Sequence, residues 1–272
     1  MSMDYKEVTT PTLTLDPFQE VKDAEIIDLG TADPAGLNDS VLTPEERQMV
    51  DDFAKQIDFD NSTAILQYGA GTQKKMADFS ENTAWELVEE NLRRKNCCGV
   101  KLYPGYIKLP LNAPIYEPIY RLAAKYQKPV AVHMGLTSQP AAHLKYCHPL
   151  QLDEIAADHP DTQFVMCHFG SPFLESAAAV LAKNPNVAAD LSGLLEAPLD
   201  LERYMTEQTG FVSLLRTWFA ASNSWHKLLF GTDWPIINLG DYIEFIRRLV
   251  PEKHQNAVFF ENANRIYGLG LK

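Results

Sequence analysis

Five continuous apolar runs constrain the fold of this chain more than any other feature. They are GVKLYP (99–104), PVAVHMG (129–135), FVMCHFG (164–170), VAADLSG (187–193) and LLFGTDWP (228–235). Continuous apolar runs, unlike alternating ones, are typical of parallel strands that are covered on both faces. Helix-compatible stretches separate the runs, and this regular alternation predicts a parallel α/β fold.

Three of these runs end in a histidine or an aspartate. His133 and His168 are about one strand–helix unit apart, and Asp233 follows about two units after His168. In barrels of parallel strands the active site lies at the carboxyl ends of the strands. We therefore expect these three side chains to lie at the catalytic edge of the sheet.

The composition of the 272-residue chain allows an ordinary core and argues against some partners. Apolar residues make up 46% of the chain and charged residues 22%, as in globular domains. The net charge of −12 argues against nucleic acid or an anionic membrane as the main partner, because both attract clustered Lys and Arg. No apolar stretch approaches the roughly 20 residues that span a bilayer. A small-molecule substrate remains compatible with this charge, since it meets only its pocket.

The cysteine pattern and the N-terminal segment indicate the compartment. The four cysteines, Cys97, Cys98, Cys147 and Cys167, include no CxxC pair, which argues against a zinc–thiolate knuckle. The N-terminal segment lacks the basic and apolar parts of a signal peptide. We interpret the chain as a reduced, cytoplasmic protein.

The beginning of the chain differs from the rest. Residues 1–40 are rich in Thr, Asp, Pro and Gly and predict an extended arm, and a capped helix start follows at Thr43. Residues 61–83 have a helix-compatible pattern, although TAILQYG (63–69) could instead be recruited as an extra strand of the sheet. We therefore predict two parts: an extension of residues 1–84, partly extended and partly helical, and a βα-repeat domain of residues 85–272.

Residues 85–272 resemble the amidohydrolase-related TIM-barrel family that includes aminocarboxymuconate-semialdehyde decarboxylase. GVKLYP resembles its fourth-strand motif, VAVHMG its fifth-strand histidine, CHFGSP its sixth-strand histidine, FGTDWP its eighth-strand aspartate and ENANRIYGL its closing helix. The resemblance implies a (β/α) TIM-barrel fold and a metal-dependent hydrolase, or decarboxylase, that acts on small carbonyl or carboxylate substrates.

The family pattern implies a role for each matching side chain. His133 would bind a divalent metal ion, zinc in the first place, and Asp233 would hold the same ion and steer its water. His168 would act as a general acid/base, or bind a second ion as in two-metal relatives. A cation lowers the pKa of its bound water toward neutrality, and a nearby base helps to deliver that water.

Lys101, Tyr103 and Trp234 are predicted to contact the substrate. Lys101 lies on the fourth strand, where some relatives carry a carboxylated lysine that bridges two metal ions. Tyr103 and Trp234 lie at strand ends and are predicted walls of a pocket. The alternative for each is a structural role, as a solvated lysine or a packed aromatic ring.

The chain departs from the family at the first strand, which normally ends in His-x-His and supplies two further metal ligands. The chain contains no such pair, and the alignment places Gly30 and Ala32 at those positions. The predicted barrel is therefore incomplete at its N-terminal strands, with two open edges and an uncovered inner face. We expect an open half-barrel that leans on N-terminal helices, or closure by a partner chain in a homo-oligomer.

Residues 14–81 resemble instead the N-terminal part of TelA-type toxic-anion (tellurite) resistance proteins, on the segments LDPF, IIDLGTADP, FAKQID and ILQYGAGTQKKMADFSE. The chain thus predicts a TelA-like extension joined to an amidohydrolase-type domain. Two alternatives to a metal-dependent enzyme stay open. One is a catalytically inactive barrel remnant that acts as a scaffold or binding protein, and the other is a role in toxic-anion resistance through the N-terminal segment.

Overall fold

A computed structural model describes residues 64–68 by their backbone and residues 88–95, 97–195, 200–233 and 239–271 in full. All of these residues belong to the unit Thr63–Lys272. The predicted arm, the capped helix at Thr43 and the positions Gly30 and Ala32 lie outside the described residues. Among the described residues, no helix is both long and apolar enough to cross a bilayer.

In the described part of the chain, six parallel strands form one sheet in which spatial order follows chain order. The strands are β1 (Ala64–Tyr68), β2 (Cys97–Leu102), β3 (Val130–Val132), β4 (Phe164–Met166), β5 (Val187–Asp190) and β6 (Leu228–Leu229). Each strand pairs in parallel with the next. All five apolar runs contribute a strand, so the predicted parallel α/β architecture is confirmed.

Strand β1 replaces the helix expected within residues 61–83 by the alternative, an extra strand, at residues 64–68. Ala64–Tyr68 pairs in parallel with β2, with a register irregularity after Ala64. Local pattern is a weak guide for so short a segment, since hydrogen bonds to a neighbouring strand override propensity. The sheet thus begins before residue 85, although the predicted division of the chain there stays a prediction.

Helices connect the strands and cover the sheet. They are α1 (Pro104–Ile107), α2 (Glu117–Lys125), α3 (Leu150–Asp158), α4 (Leu174–Lys183), α5 (Leu201–Glu207), α6 (Thr209–Ser222), α7 (Leu239–Leu249), α8 (Glu252–Asn256) and α9 (Asn262–Ile266). Residues 88–93 are also helical. Short 3-10 turns lie at Pro114–Tyr116, Leu144–Tyr146, Cys167–Gly170 and Trp225–Lys227, and a π-helical turn, Ala257–Glu261, joins α8 to α9.

Alternate residues of the strands pack on opposite faces of the sheet. Val130, Val132, Phe164 and Met166 belong to the large core cluster that the connecting helices share. The other face, which we call the inner face, carries a smaller cluster. Its members are Ala131, Val165, Cys167, Ala188, Leu229 and Ile266, with Ala263 and Tyr267 packed against them.

The C-terminal helix α9 therefore covers part of the inner face. Ile266 and Ala263 of α9 and the following Tyr267 contact small strand residues such as Ala131 and Ala188. The expectation of an uncovered inner face is wrong for this part of the sheet. Small side chains on the strands leave the space that a packed helix fills, since protein interiors tolerate few voids.

Gly99 tests the register between β2 and β3. A Cβ atom added there would lie 2.5 Å from the backbone oxygen of Pro129, which accepts the Val100 N–H bond at 3.0 Å. Because that oxygen cannot move without breaking the pairing, we expect Gly99→Ala to lower the free energy of unfolding by about 1–3 kcal/mol. Urea denaturation followed by circular dichroism measures this change.

Gly210 of α6 provides the matched control. Apart from its two chain neighbours and the nearby backbone of its own helix, no atom of the described residues lies within 4 Å of a Cβ atom added at Gly210. Gly210→Ala should therefore raise the free energy of unfolding by about 0.5–1 kcal/mol, because alanine loses less backbone freedom than glycine in a helix. Equal effects of the two substitutions would contradict the close approach at Gly99.

Candidate active site

Polar side chains gather where the parallel strands end. Lys101 is the next-to-last residue of β2, His133 directly follows β3, and Asp190 is the last residue of β5. His168 comes two residues after β4, and Asp233 comes four residues after β6. Since neighbouring strands are parallel, all five side chains start from the same edge of the sheet, the carboxyl edge, where barrels of this class bind ligands.

The two histidines are in direct contact. Nδ1 of His133 and Nε2 of His168 are 3.1 Å apart. The ring centroids are 4.8 Å apart with the planes at 66°, and each residue is only 8% exposed. The structure thus brings together two of the side chains that the sequence singled out, and both are largely shielded from water.

Aromatic rings and a carbonyl oxygen fix the other side of His133. Its Nε2 lies 2.9 Å from the backbone oxygen of Leu136, which can only accept, so Nε2 carries the ring proton. Tyr103 stacks on the ring with centroids 5.6 Å apart, and Tyr106 meets it edge-on at 5.3 Å. Burial, helped by the neighbouring His168, lowers the pKa of His133 to about 3. The ring is therefore neutral at pH 7, with its lone pair on Nδ1 facing His168.

An unusual backbone turn directs His168 into the site. His168 has φ 60° and Phe169 has φ 44°, in the left-handed region that non-glycine residues seldom adopt. The backbone N–H of His168 donates to Oδ1 of Asp190 at 2.9 Å. This bond anchors the turn to the neighbouring strand β5. Such an anchor is needed because a strained backbone conformation persists only where its surroundings support it.

Asp190 is a site residue that the sequence analysis missed. Its Oδ1 also accepts the N–H of Ser192 at 3.1 Å and lies 2.5 Å from Ser192 Oγ. Burial acts to raise the pKa of Asp190, but His168, Lys101 and the hydrogen bond from Ser192 hold it below its usual value. The available signal was the VAADLSG run, which ends in a carboxylate followed two residues later by a hydroxyl group.

Lys101 points toward Cys167 and Asp190. Its Nζ lies 2.6 Å from Sγ of Cys167 and 5.3 Å from the ring centroid of Tyr103. Burial disfavours the ammonium, but Cys167 and Asp190 outweigh it, so the pKa of Lys101 is raised. Lys101 is thus a partly buried cation beside the histidine pair, and its predicted contact with substrate stays a prediction.

Asp233 lies at the exposed rim of the same site. A Cβ atom added at Gly193 would be 2.9 Å from Nδ1 of His168 and 3.1 Å from Oδ2 of Asp233. The two side chains therefore flank Gly193, whose lack of a Cβ atom lets them approach. Asp233 has φ 59°, and Trp234 lies outside the described residues.

The fit of these residues to a metal ion is partial. A separation of 3.1 Å between two imidazole nitrogens is compatible with a bond of about 2.0–2.1 Å from each to one zinc ion. Within the described ranges, however, no three His, Cys, Asp or Glu side chains form a group that holds a metal. The pair supplies two converging nitrogens, fewer than the three protein ligands typical of a catalytic zinc site.

Parallel strands with histidines and carboxylates at their carboxyl ends are typical of the α/β barrel class of proteins. The family model described as Amidohydrolase (Amidohydro_2) matches residues 25–269, and the chain belongs to this family. The match begins well before residue 85 and includes most of residues 14–81, whose resemblance to TelA-type proteins stays a prediction. No curated protein matches the chain.

Solved structures confirm the TIM-barrel type of the fold. One is a 2,6-dihydroxybenzoate decarboxylase in complex with 2,6-dihydroxybenzoate, with TM-score 0.56, 15% identity and coverage of 83% of this chain and 77% of that chain. A TIM-barrel protein of Bordetella bronchiseptica has TM-score 0.55, 18% identity and coverage of 76% and 66%. The manganese-bound dihydroxybenzoic acid decarboxylase of Polaromonas sp. JS666 has TM-score 0.51, 11% identity and coverage of 84% and 76%.

Tyr242 of α7 anchors the segment that carries Ser192. Its hydroxyl donates to the backbone oxygen of Leu191 and accepts the N–H of Leu194 at 3.0 Å, and the side chain is 1% exposed. Because Tyr242→Phe leaves both backbone groups without this partner, we expect the free energy of unfolding to fall by about 1–3 kcal/mol. Guanidinium denaturation of the purified variant measures the loss.

Tyr146→Phe serves as the control, since Tyr146 is partly exposed and keeps its stacking on His143 after the change. Its free energy of unfolding should stay within about 0.5 kcal/mol of wild type. Indistinguishable results for the two phenylalanine variants would mean that the Tyr242 hydroxyl does not anchor this segment.

Proposed function

We propose that the chain is a metal-dependent enzyme of the amidohydrolase type that hydrolyses or decarboxylates a small carbonyl or carboxylate substrate. The observation that carries this proposal is the contact between His133 and His168 at the carboxyl edge of the sheet, 3.1 Å from nitrogen to nitrogen. Family membership over residues 25–269 supports the reaction class.

His133 and Asp233 are the proposed ligands of one divalent ion. His133 presents the lone pair of Nδ1 toward the site because Nε2 donates to Leu136. A bound ion would supply a Lewis acid that polarises a carbonyl or carboxylate oxygen. We propose zinc, since imidazole nitrogen is among its preferred ligands, while a manganese-bound relative of the fold makes manganese the competing choice.

His168 is the proposed general acid/base. Its Nε2 lies at hydrogen-bond distance from His133, where we expect it to take a proton from a substrate atom or to give one back. The rings of Tyr103 and Tyr106 beside His133 exclude water and favour a flat substrate. Lys101 contributes a positive charge that would attract a carboxylate group.

Trp234 is the remaining proposed substrate contact, because it directly follows Asp233. The choice between hydrolysis and decarboxylation depends on the substrate. The family description favours hydrolysis, whereas two of the solved structures of the same fold are decarboxylases of hydroxylated benzoates.

The setting of the enzyme is also a proposal. Cys98, Cys147 and Cys167 are buried free thiols, which supports a reducing, cytoplasmic compartment. We propose a small-molecule substrate and a homo-oligomer, in which a partner chain closes the sheet edges. The toxic-anion resistance role of residues 14–81 has no support beyond the sequence resemblance.

Metal content per chain tests the proposed function. Untagged protein, loaded with zinc or manganese and freed from excess metal by gel filtration, should contain close to one ion per chain by mass spectrometry. His133→Ala removes a proposed ligand and should reduce metal affinity at least about tenfold, the loss typical for weakened metal shells. His143→Ala, at an exposed histidine of the following loop, should bind metal like the wild type.

Activity toward a panel of carboxylated and ester-bearing small molecules then follows, with released carbon dioxide separating decarboxylation from hydrolysis. Activity should require the metal and fall in His133→Ala and Asp233→Asn. Wild-type protein that binds neither ion would contradict the proposal. It would favour the inactive barrel remnant, in which the strand-end residues are present but no metal-dependent reaction takes place.

A further inference from the structure

The hydroxyl of Ser192 links the carboxylate of Asp190 to the ring of His168. Ser192 Oγ lies 2.5 Å from Asp190 Oδ1 and 2.9 Å from Nδ1 of His168. The backbone oxygen of the same serine lies 3.2 Å from Nδ1 of His168. Ser192 is 7% exposed, so water competes little for these contacts.

The direction of each hydrogen bond follows from counting protons. Oδ1 of Asp190 faces two backbone N–H groups, those of His168 and Ser192, which only donate. Oδ1 is therefore an acceptor, and the single hydroxyl proton of Ser192 is directed to it at the shorter distance. Ser192 Oγ then has only lone pairs left for Nδ1 of His168, so Nδ1 must carry a proton.

The carbonyl oxygen of Ser192 leads independently to the same result. A carbonyl oxygen accepts and never donates, and it lies near the same ring nitrogen as the hydroxyl oxygen. Two oxygen atoms thus face Nδ1 of His168 as acceptors. A neutral ring with its proton on Nδ1 keeps its lone pair on Nε2, the atom that faces His133.

We propose that Asp190 and Ser192 are positioning residues that hold His168 as the Nδ1–H tautomer and aim its Nε2 lone pair into the site. The part of this proposal that concerns catalysis rests on the proposed function, whereas the tautomer does not. A histidine becomes a defined base or ligand only when a partner at its second nitrogen fixes the tautomer.

The consequence reaches His133. Its Nε2 donates to Leu136, so its own lone pair lies on Nδ1, 3.1 Å from Nε2 of His168. The backbone oxygen of Leu136 thus orients the ring of His133, and that of Ser192 orients the ring of His168. The lone pairs of the two facing nitrogens then point at the same place between the rings. Such a place suits a bound cation, whereas the opposite tautomer of His168 would fill it with an N–H group that donates to Nδ1 of His133.

A purely structural role for Asp190 makes a different prediction. Its Oδ1 also accepts the N–H of Ser192, two residues on, and such Asp-centred turns occur in many loops. If closing that turn were the whole role, the Ser192 hydroxyl would be dispensable for the ring, and its removal would leave the tautomer of His168 unchanged.

Nuclear magnetic resonance of the metal-free protein separates these roles. Histidine labelled with 15N is observed through long-range 1H–15N correlations at pH 8, where an unperturbed imidazole is neutral, and His168→Gln assigns the ring. Wild-type protein should show a protonated Nδ1 and an unprotonated Nε2. Ser192→Ala should raise the Nε2-protonated fraction about fivefold, the factor that corresponds to one neutral hydrogen bond.

The controls use the same residue types. Ser192→Thr keeps the hydroxyl and should restore the wild-type tautomer, and Ser213→Ala, at an exposed serine of α6, should not change it. Asp190→Ala frees the Ser192 proton to donate to Nδ1 and should shift the ring further than Ser192→Ala. If Asp190→Ala does not fold, the Ser192 variants alone decide.

A wild-type His168 that is protonated on Nε2 would overturn the proposed tautomer. A tautomer that Ser192→Ala leaves unchanged would overturn the positioning role of the Ser192 hydroxyl, because only the backbone oxygen still faces Nδ1 in that variant. Because the spectra are recorded without metal or substrate, either result is independent of whether the protein binds metal. In an active enzyme the same variants should lower kcat more than they change KM, since Ser192 and Asp190 act through His168 rather than on substrate.

Discussion

The parallel register of the sheet is the constraint on which the site depends. Val132, Met166 and Ala189 are aligned across β3, β4 and β5, so the next residue of each strand, His133, Cys167 and Asp190, falls in one row. This row continues the inner face, and Lys101, aligned with Ala131, lies beside it. By the alternation of a strand, His168 would point away from that face. Its left-handed backbone turns the ring back toward His133, and the N–H bond to Asp190 secures that turn.

The site is a cluster of polar groups that is largely shielded from water, and this shielding changes the contribution of each hydrogen bond to stability. Buried polar groups are costly unless they are paired, and paired networks are correspondingly rigid. His133, His168 and Ser192 are each less than a tenth exposed, and their polar atoms find partners among the carbonyl oxygens of Leu136 and Ser192 and the Asp190 carboxylate. The protein therefore sets the orientation of both imidazole rings before any ligand arrives. The positive charge of Lys101 partly offsets the negative charge of Asp190.

Sequence reasoning predicted the strands and the titratable residues at their ends, because continuous apolar runs are a strong signal and parallel strands place their ends together. It missed Asp190 and Ser192, since a carboxylate at the end of a strand looks the same in sequence whether it faces solvent or a histidine. It favoured a helix over a strand at Ala64–Tyr68, where pairing with β2 decides the conformation. The packing of α9 on the inner face was also beyond sequence patterns, because it depends on the small size of residues from several strands together. His133 and His168 were predicted at one edge of the sheet. Their mutual distance, however, depends on the left-handed backbone conformation at His168, which the local sequence pattern does not predict.

The position of α9 on the inner face has a consequence for synthesis and folding. Helix α9 follows all six strands in chain order, so the inner residues Ala131, Val165, Ala188 and Leu229 stay without this cover until the chain has been made through Ile266. Tyr267, whose pKa burial raises well above its usual value, completes the same layer next to Cys167 and Asp190. A nascent chain that ends before α9 would present an apolar sheet face to its neighbours, and such transient faces favour aggregation. The order of elements along the chain thus makes the last helix the step that protects the sheet.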